Sequence, residues 1–249
     1  MSAPKEIIFL GSKPIGYNCL KFLIGNAGIL NLSLKGVLTK NRTEFGGDHD
    51  LAALAQQNGI EVFESLDDMP ECDFLYSVQY HEILKARHIE KARELAVNLH
   101  MAPLPEYRGS NQFSFALIEG KEEFGTTLHR MLPGVDNGPI IFQKRFPIPE
   151  NCWVGELYDI TVDKSLKLFI ETLRHVVTGN FREIDQELLV SKYGTSMHYR
   201  NEMNQIKVID LNWDKEKIER HIRATSMPGF EPPYCIMGGK KVYLTDKYQ

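Results

Sequence analysis

The sequence predicts an α/β fold, a parallel sheet with helices on its faces, and two patterns lead to that prediction. Short apolar runs of strand length alternate with segments of helical spacing from the N-terminus to Val177. The runs are apolar throughout, as in strands covered on both sides.

Glu6–Leu10 reads as the first strand, closed by Gly11-Ser12, and Pro14 stands where a helix through Ile24 can begin. Leu34–Thr39 is a second strand, followed by a polar loop from Lys40 to His49 and a helix from Asp50 to Asn58. A third strand is expected at Ile60–Phe63, a fourth at Phe74–Val78, a helix from His81 to Arg93, and a fifth strand at Leu95–Leu99. Ser110–Ile118 has helical spacing, and strands are expected at Gly125–Leu132 and Ile140–Phe146 around the turn-rich Pro133–Pro139. Val154–Val177 is a long amphipathic helix.

After Asp185 the texture changes. A polar loop is expected from Lys192 to Gln205, a short extended piece at Ile209–Trp213, and a helix to Arg223 capped by Asp214. A loop at Pro228–Pro233 and a strand at Lys241–Leu244 complete a small α+β lobe. The expected division is therefore 1–185 as the main domain and 186–249 as the lobe.

The composition is that of an ordinary soluble domain, with 43% hydrophobic and 25% charged residues in 249. A net charge of −4 gives no reason to expect binding to nucleic acid or an anionic membrane. Cys19, Cys72, Cys152 and Cys235 lie far apart with no C-x-x-C pair, so neither a disulfide framework nor a metal site is expected. The apolar run in MSAPKEIIFLGS is too short for a signal segment or a membrane span. A cytoplasmic location is expected. Gly11–Gly16 lacks the spacing of a phosphate loop or a dinucleotide fingerprint, although Lys13 and the amides at the helix start could meet phosphates.

In parallel α/β sheets ligands bind beyond the carboxyl ends of the strands, and Asn98 and His100 stand at such an end. Two residues apart on a strand, they project to one face, where an apolar sheet has no use for an amide and an imidazole. Asp136, in a glycine-flanked loop, could join them. Imidazole is the side chain suited to proton transfer near neutral pH, a carboxylate can orient it, and an amide N–H can meet an oxygen gaining charge. No Ser or Cys stands in a nucleophile setting, which favours direct transfer over a covalent intermediate. Each residue alone has an ordinary structural use, so the residues themselves imply an α/β enzyme or a ligand-binding protein with an Asn/His/Asp site.

The strings Asn98-Leu99-His100, Pro103–Gly109, Gly125–His129 and Gly134–Ile140 together resemble the N-formyltransferase family, whose members use N10-formyltetrahydrofolate on a Rossmann-like domain. The resemblance implies Asn98, His100 and Asp136 as the catalytic set and no metal. It implies a folate pocket formed by Gln79, Tyr80, His81, Ile83 and Leu84 with Val135 and Gly138. Leu10–Gly16 and Tyr107–Ala116 resemble the enzymes that formylate dTDP-linked amino sugars, and the tail Ile218–Ala224 with Pro228–Phe230 resembles the small lobe that follows the catalytic domain in sugar and tRNA formyltransferases.

On that likeness the acceptor is a dTDP-3-amino or dTDP-4-amino-dideoxyhexose for lipopolysaccharide O-antigen or another surface glycan. Ser12, Lys13, Arg108, Gly109, Arg200, Phe230 and Tyr234 would contact it, with Tyr193 and Tyr199 as further stacking candidates. A homodimer formed through the lobe is expected. The short lobe and acidic charge are taken against a tRNA acceptor. A UDP-amino sugar, glycinamide ribonucleotide or water as formyl acceptor remain alternatives.

Overall fold

The computed structural model describes residues 3–40 and 49–245. A six-stranded sheet runs in the order β2-β1-β3-β4-β6-β7. Its strands are β1 (Lys5–Gly11), β2 (Leu32–Thr39), β3 (Cys72–Val78), β4 (Ala92–His100), β6 (Glu123–Arg130) and β7 (Ile140–Pro147). The first four are mutually parallel, whereas β6 runs antiparallel to β4 and β7 antiparallel to β6. The expected α/β sheet is therefore mixed at one edge.

Residue alternation divides the core into two layers. Ile7, Phe9, Tyr76, Val97 and Leu99 face α1 (Lys13–Asn26), α2 (Leu51–Gln57) and α5 (Val154–Thr178), which supply Leu20, Leu51 and Phe169 among others. Ile8, Leu10, Leu75 and Ala96 face the other way, against Phe63, Leu66, Met69 and Leu84. That second layer corrects the expected helix from His81 to Arg93. The one helical turn there is α3 (Ala86–Ile89), Gln79 sits at a φ of +53°, and β4 has begun by Ala92. Leu84 is buried while Ile83 is 68% exposed, so this segment seals the sheet as an irregular strap.

The strand expected at Ile60–Phe63 is a single bridge between Val62 and Val37. It has a partner on one side alone, beyond edge strand β2, and Phe63 folds back over Gly36 instead of extending the ladder. Of the loop expected at Lys40–His49, residues 41–48 lie outside the described residues. The Asp50 side chain caps α2 through the Ala53 N–H.

Beyond Asp185 the structure is more ordered than expected. Within and beside the anticipated loop lie α6 (Glu187–Tyr193), β8 (Met197–His198), a 3₁₀ turn at Arg200–Glu202 and α7 (Met203–Ile206). The stretch Ile209–Trp213 is mostly turn, with Val208 bridging Tyr234. As expected, the Asp214 side chain caps α8 (Lys215–Thr225), accepting from the Lys217 N–H. The final strand, β10 (Lys240–Tyr243), pairs with β9 (Tyr234–Met237) in a hairpin turned at Gly238-Gly239. A third apolar cluster joins Ala224 of α8 to Tyr107, Phe124, Phe146 and α4 (Gln112–Ile118). Among the described residues no helix is long and apolar enough to cross a membrane.

Candidate active site

The carboxyl end of β4 meets the far end of β6, so Asn98 lies opposite His129 and His100 opposite Thr127. Opposite residues of an antiparallel pair share a face, which puts two imidazoles and an amide side by side. The loop between β6 and β7 carries Asp136 up to them. Its Oδ2 lies 3.5 Å from His100 Nδ1 and accepts from the Gly109 N–H at 3.0 Å. Its Oδ1 lies 3.4 Å from His129 Nε2 and accepts from Asn98 Nδ2 at 3.3 Å, while Asn98 Nδ2 is also 3.2 Å from His129 Nε2.

Backbone carbonyls fix both rings. His100 Nε2 donates to the Tyr107 carbonyl at 2.7 Å, and His129 Nδ1 donates to the Arg130 carbonyl at 2.8 Å. A carbonyl accepts only, so these nitrogens carry hydrogens and the remaining nitrogen of each ring is turned toward Asp136. Burial opposes the charge on Asp136, but the His100 ring, the hydrogen bond with His129 and the Gly109 N–H outweigh it and hold the carboxyl well below the usual carboxylate range. The two histidines are buried; Asn98 and Asp136 are half-buried and form the open side of the group.

The Pro103–Gly109 stretch serves this geometry. Thr127 Oγ1 donates to the Ala102 carbonyl and accepts from the Leu104 N–H, and Gln143 Nε2 donates to the Leu104 carbonyl. These bonds hold the chain so that the Tyr107 carbonyl reaches His100. Glu106 pairs with Arg145, whose guanidinium lies over the Tyr193 ring at 4.1 Å. Arg108-Gly109 forms a short strand, β5, beside Met197-His198. Gly109 has a φ of +85°, and a Cβ there would lie 2.3 Å from the His198 carbonyl oxygen. Gly138 is equally constrained, since a Cβ would lie 1.9 Å from the Arg130 carbonyl oxygen.

The residues expected to contact ligands fall in several places. Ser12 is buried, its N–H donating to the Val78 carbonyl, and Lys13 Nζ donates to Gln79 Oε1 at 3.0 Å. That bond joins a residue expected at phosphate to one expected at folate. Tyr80 and Leu84 share an apolar cluster with Met131, which opens the loop carrying Val135, Asp136 and Gly138. Burial pushes the Tyr80 phenol up to about 12. His81 Nε2 lies 3.1 Å from Glu82 Oε1. Ile83 and Leu132, next in the chain to Leu84 and Met131, are exposed.

Arg108 is half-buried on β5. The Arg200 carbonyl accepts from Asn111 Nδ2 at 3.4 Å. Phe230 is 41% exposed in the lobe, and Tyr234 carries the Lys241 ammonium 4.0 Å over its ring. Asn98, His100 and Asp136 are thus brought together, whereas the contacts seen for Tyr234 are with other lobe residues.

Two members of the site have no role in the sequence reading. His129 was legible in principle, because antiparallel pairing of its strand with Asn98 would have put both on one face. Gln186, whose Nε2 donates to the carbonyls of Asp136 and Gly138, carried no signal, being one glutamine in a polar stretch.

Fold and site together define an α/β protein with proton-transfer groups gathered at the carboxyl end of its sheet. The chain belongs to the formyl transferase family, whose model matches residues 48–173. It is similar to the GDP-perosamine N-formyltransferase of Brucella melitensis, with 29% identity over 174 residues, 69% of this chain and 64% of that protein. It thus spans less than two thirds of that relative's length. Similarity to the methionyl-tRNA formyltransferase of Clostridium novyi reaches 27% identity, covering 87% of this chain and 71% of that one. The solved structure of WlaRD, described as a sugar 3N-formyl transferase in the presence of dTDP and 5-N-formyl-THF, superposes with a TM-score of 0.79. That likeness, at 24% identity, covers 100% of this chain and 89% of WlaRD and shows the shared fold.

Proposed function

We propose that the chain transfers a formyl group from N10-formyltetrahydrofolate to the primary amine of a nucleotide-linked amino-dideoxyhexose. The observation carrying this reading is the Asp136 carboxylate held between His100 and His129 beside the Asn98 amide, in a member of the formyl transferase family. In the reaction the amine nitrogen bonds to the formyl carbon, the carbon–N10 bond breaks, and one proton moves from the amine to N10.

We assign each residue its part from the contacts it makes. His100 Nε2 is committed to the Tyr107 carbonyl, so Nδ1, facing Asp136, is the ring position that takes and returns the proton. Asp136 stays ionised and balances the imidazolium. Asn98, on the open side, turns an amide N–H from Asp136 to the formyl oxygen as negative charge gathers there. Folate is assigned to the apolar side chains shared by Gln79–Leu84 and the 131–138 loop.

The acceptor we favour is dTDP-linked, with the amine at C3 or C4, because Leu10–Gly16 and Tyr107–Ala116 resemble enzymes acting on dTDP sugars. Supporting this, the WlaRD structure is described with dTDP. A GDP-linked 4-amino sugar is the second reading, favoured by the Brucella relative. On either reading residues 1–185 form the catalytic domain and 186–249 a lobe for substrate contact and dimerisation. The protein would work in the cytoplasm on a precursor of O-antigen or another surface glycan.

The test is a mass-spectrometric assay with N10-formyltetrahydrofolate and a panel of dTDP-, GDP- and UDP-amino sugars, glycinamide ribonucleotide and methionyl-tRNA. Addition of one formyl group to a dTDP sugar, lost in His100→Ala, is the expected result. Formylation of another acceptor in its place would overturn the dTDP assignment, and formate release with no acceptor would point to hydrolysis.

A further inference from the structure

The loop that delivers Asp136 is shaped from outside by the segment that follows α5. Glu183 takes a hydrogen bond from Arg130 Nε at 2.7 Å, and Ile184 exchanges two backbone hydrogen bonds with Ile140, both 2.8 Å. This strap crosses the two ends of the β6–β7 loop and brings Gln186 over its middle. There Gln186 Nε2 donates to the Asp136 carbonyl at 2.8 Å and to the Gly138 carbonyl at 2.7 Å. Gln186 is 7% exposed, a degree of burial uncommon for a glutamine, and both amide hydrogens are used.

Asp136 has a φ of +48°, a left-handed conformation that a residue with a Cβ adopts when its surroundings hold it there. Turning the Asp136 peptide back toward ordinary values would swing the carboxylate away from His100 and His129. It would also swing the carbonyl that Gln186 holds.

We propose that Gln186 is a positioning residue for formyl transfer: its amide clamps the carbonyls of Asp136 and Gly138 and so sets the direction in which the Asp136 carboxylate points. The kinetic part of this inference rests on the formyl-transfer reading above; the geometric part does not. A segment that sequence texture assigns to the accessory lobe thereby completes the catalytic group.

Two variants separate donation from packing. Gln186→Met fills similar space with no N–H, and Gln186→Glu keeps the shape but presents a carboxylate to two carbonyl oxygens. Misplacement of a reacting group by about an ångström costs on the order of 10²-fold in rate. Both variants should therefore lose about 10- to 100-fold in kcat, with the KM for the amine changed by less than about threefold.

Hydrogen exchange provides the readout that does not depend on turnover. The Gly109 amide donates to Asp136 Oδ2, so its protection should fall in both variants while that of the Phe9 amide in β1 is unchanged. Wild-type kcat and wild-type Gly109 protection in Gln186→Met would overturn the proposal. A wild-type protein that formylates no acceptor would defeat the functional reading, yet Gly109 exchange would still decide the role of Gln186. Should both variants fail to fold, Gln186→Asn decides it: its shorter arm carries the same hydrogens, and undiminished Gly109 protection there would also overturn the clamp.

Discussion

The carboxyl end of β4 and the β9–β10 hairpin treat their side chains in opposite ways. At the first, every polar group is held: His100 and His129 are each tied to a backbone carbonyl, and Asp136 meets four partners. At the second, Ile236, Met237, Val242 and Tyr243 are 41–56% exposed, on a ribbon of two strands. Two-stranded ribbons are marginal by themselves. The contrast separates preorganisation from availability: substitution should damage chemistry at the first region and contact with other molecules at the second.

The largest expected effect is at Asp136. Asp136→Asn keeps the shape and removes the charge both rings face, so kcat should fall about 10³- to 10⁴-fold, the scale seen when an orienting carboxylate elsewhere becomes an amide. Stability gives an independent check of sign. The carboxyl is lowered in the fold from a usual value of 3.8, so its contribution is fully present above that pH and is lost as pH falls toward the folded value. The gap in unfolding free energy between wild type and Asp136→Asn should therefore be widest near neutrality and narrow below about pH 4. A gap constant from pH 7 to pH 3 would contradict the described environment.

Asn98→Ala comes next. Loss of one donor to a developing oxyanion costs about 10²–10³ in kcat elsewhere, and the same is expected here by single-turnover kinetics. The folate affinity should change little, because Asn98 faces Asp136 and His129 and not the Tyr80–Met131 cluster.

The sheet and its site were unequally legible in the sequence. Apolar runs marked β1, β3 and β4 because strands buried on both faces leave a continuous signature. The same rule misread Ile60–Phe63, where four apolar-rich residues close the edge by one bridge. The Ala86–Ile89 turn was overextended because Leu84 and His88, both buried, stand four apart as a helix would space them, yet Leu84 and Ile89 seal a sheet face from an irregular chain. Asn98 and His100 stood out since polar residues at an apolar strand end need a reason, and Asp136 joined them through its glycine-flanked loop and the family resemblance. His129 and Gln186 did not, because their importance lies in cross-strand register and in two carbonyls, neither of which residue identity records.

Gly109→Ala tests the seam between the two regions. A φ of +85° and the His198 carbonyl leave no room for a Cβ, so β5 must part from β8. Strain of this kind costs about 1–3 kcal/mol, which a lowered urea midpoint would register. Activity should fall as well, as the Gly109 N–H leaves Asp136. An unchanged midpoint would mean that the lobe is not docked through Met197–His198.

The smallest intramolecular effect is expected in the hairpin, and its size tests the proposed dimer. Ile236 is 55% exposed and Val242 41%, so Ile236→Ser and Val242→Ser should each change the stability of an isolated chain by about 0.5 kcal/mol or less. Stability linked to association behaves otherwise, because the melting temperature then rises with protein concentration. If the hairpin joins two copies, wild type should show that rise and both variants should lose it, sedimenting as single chains. If wild type melts independently of concentration, the exposed ribbon serves something other than self-association, and the contrast with the locked β4 end becomes one between a site for chemistry and a surface without a second copy.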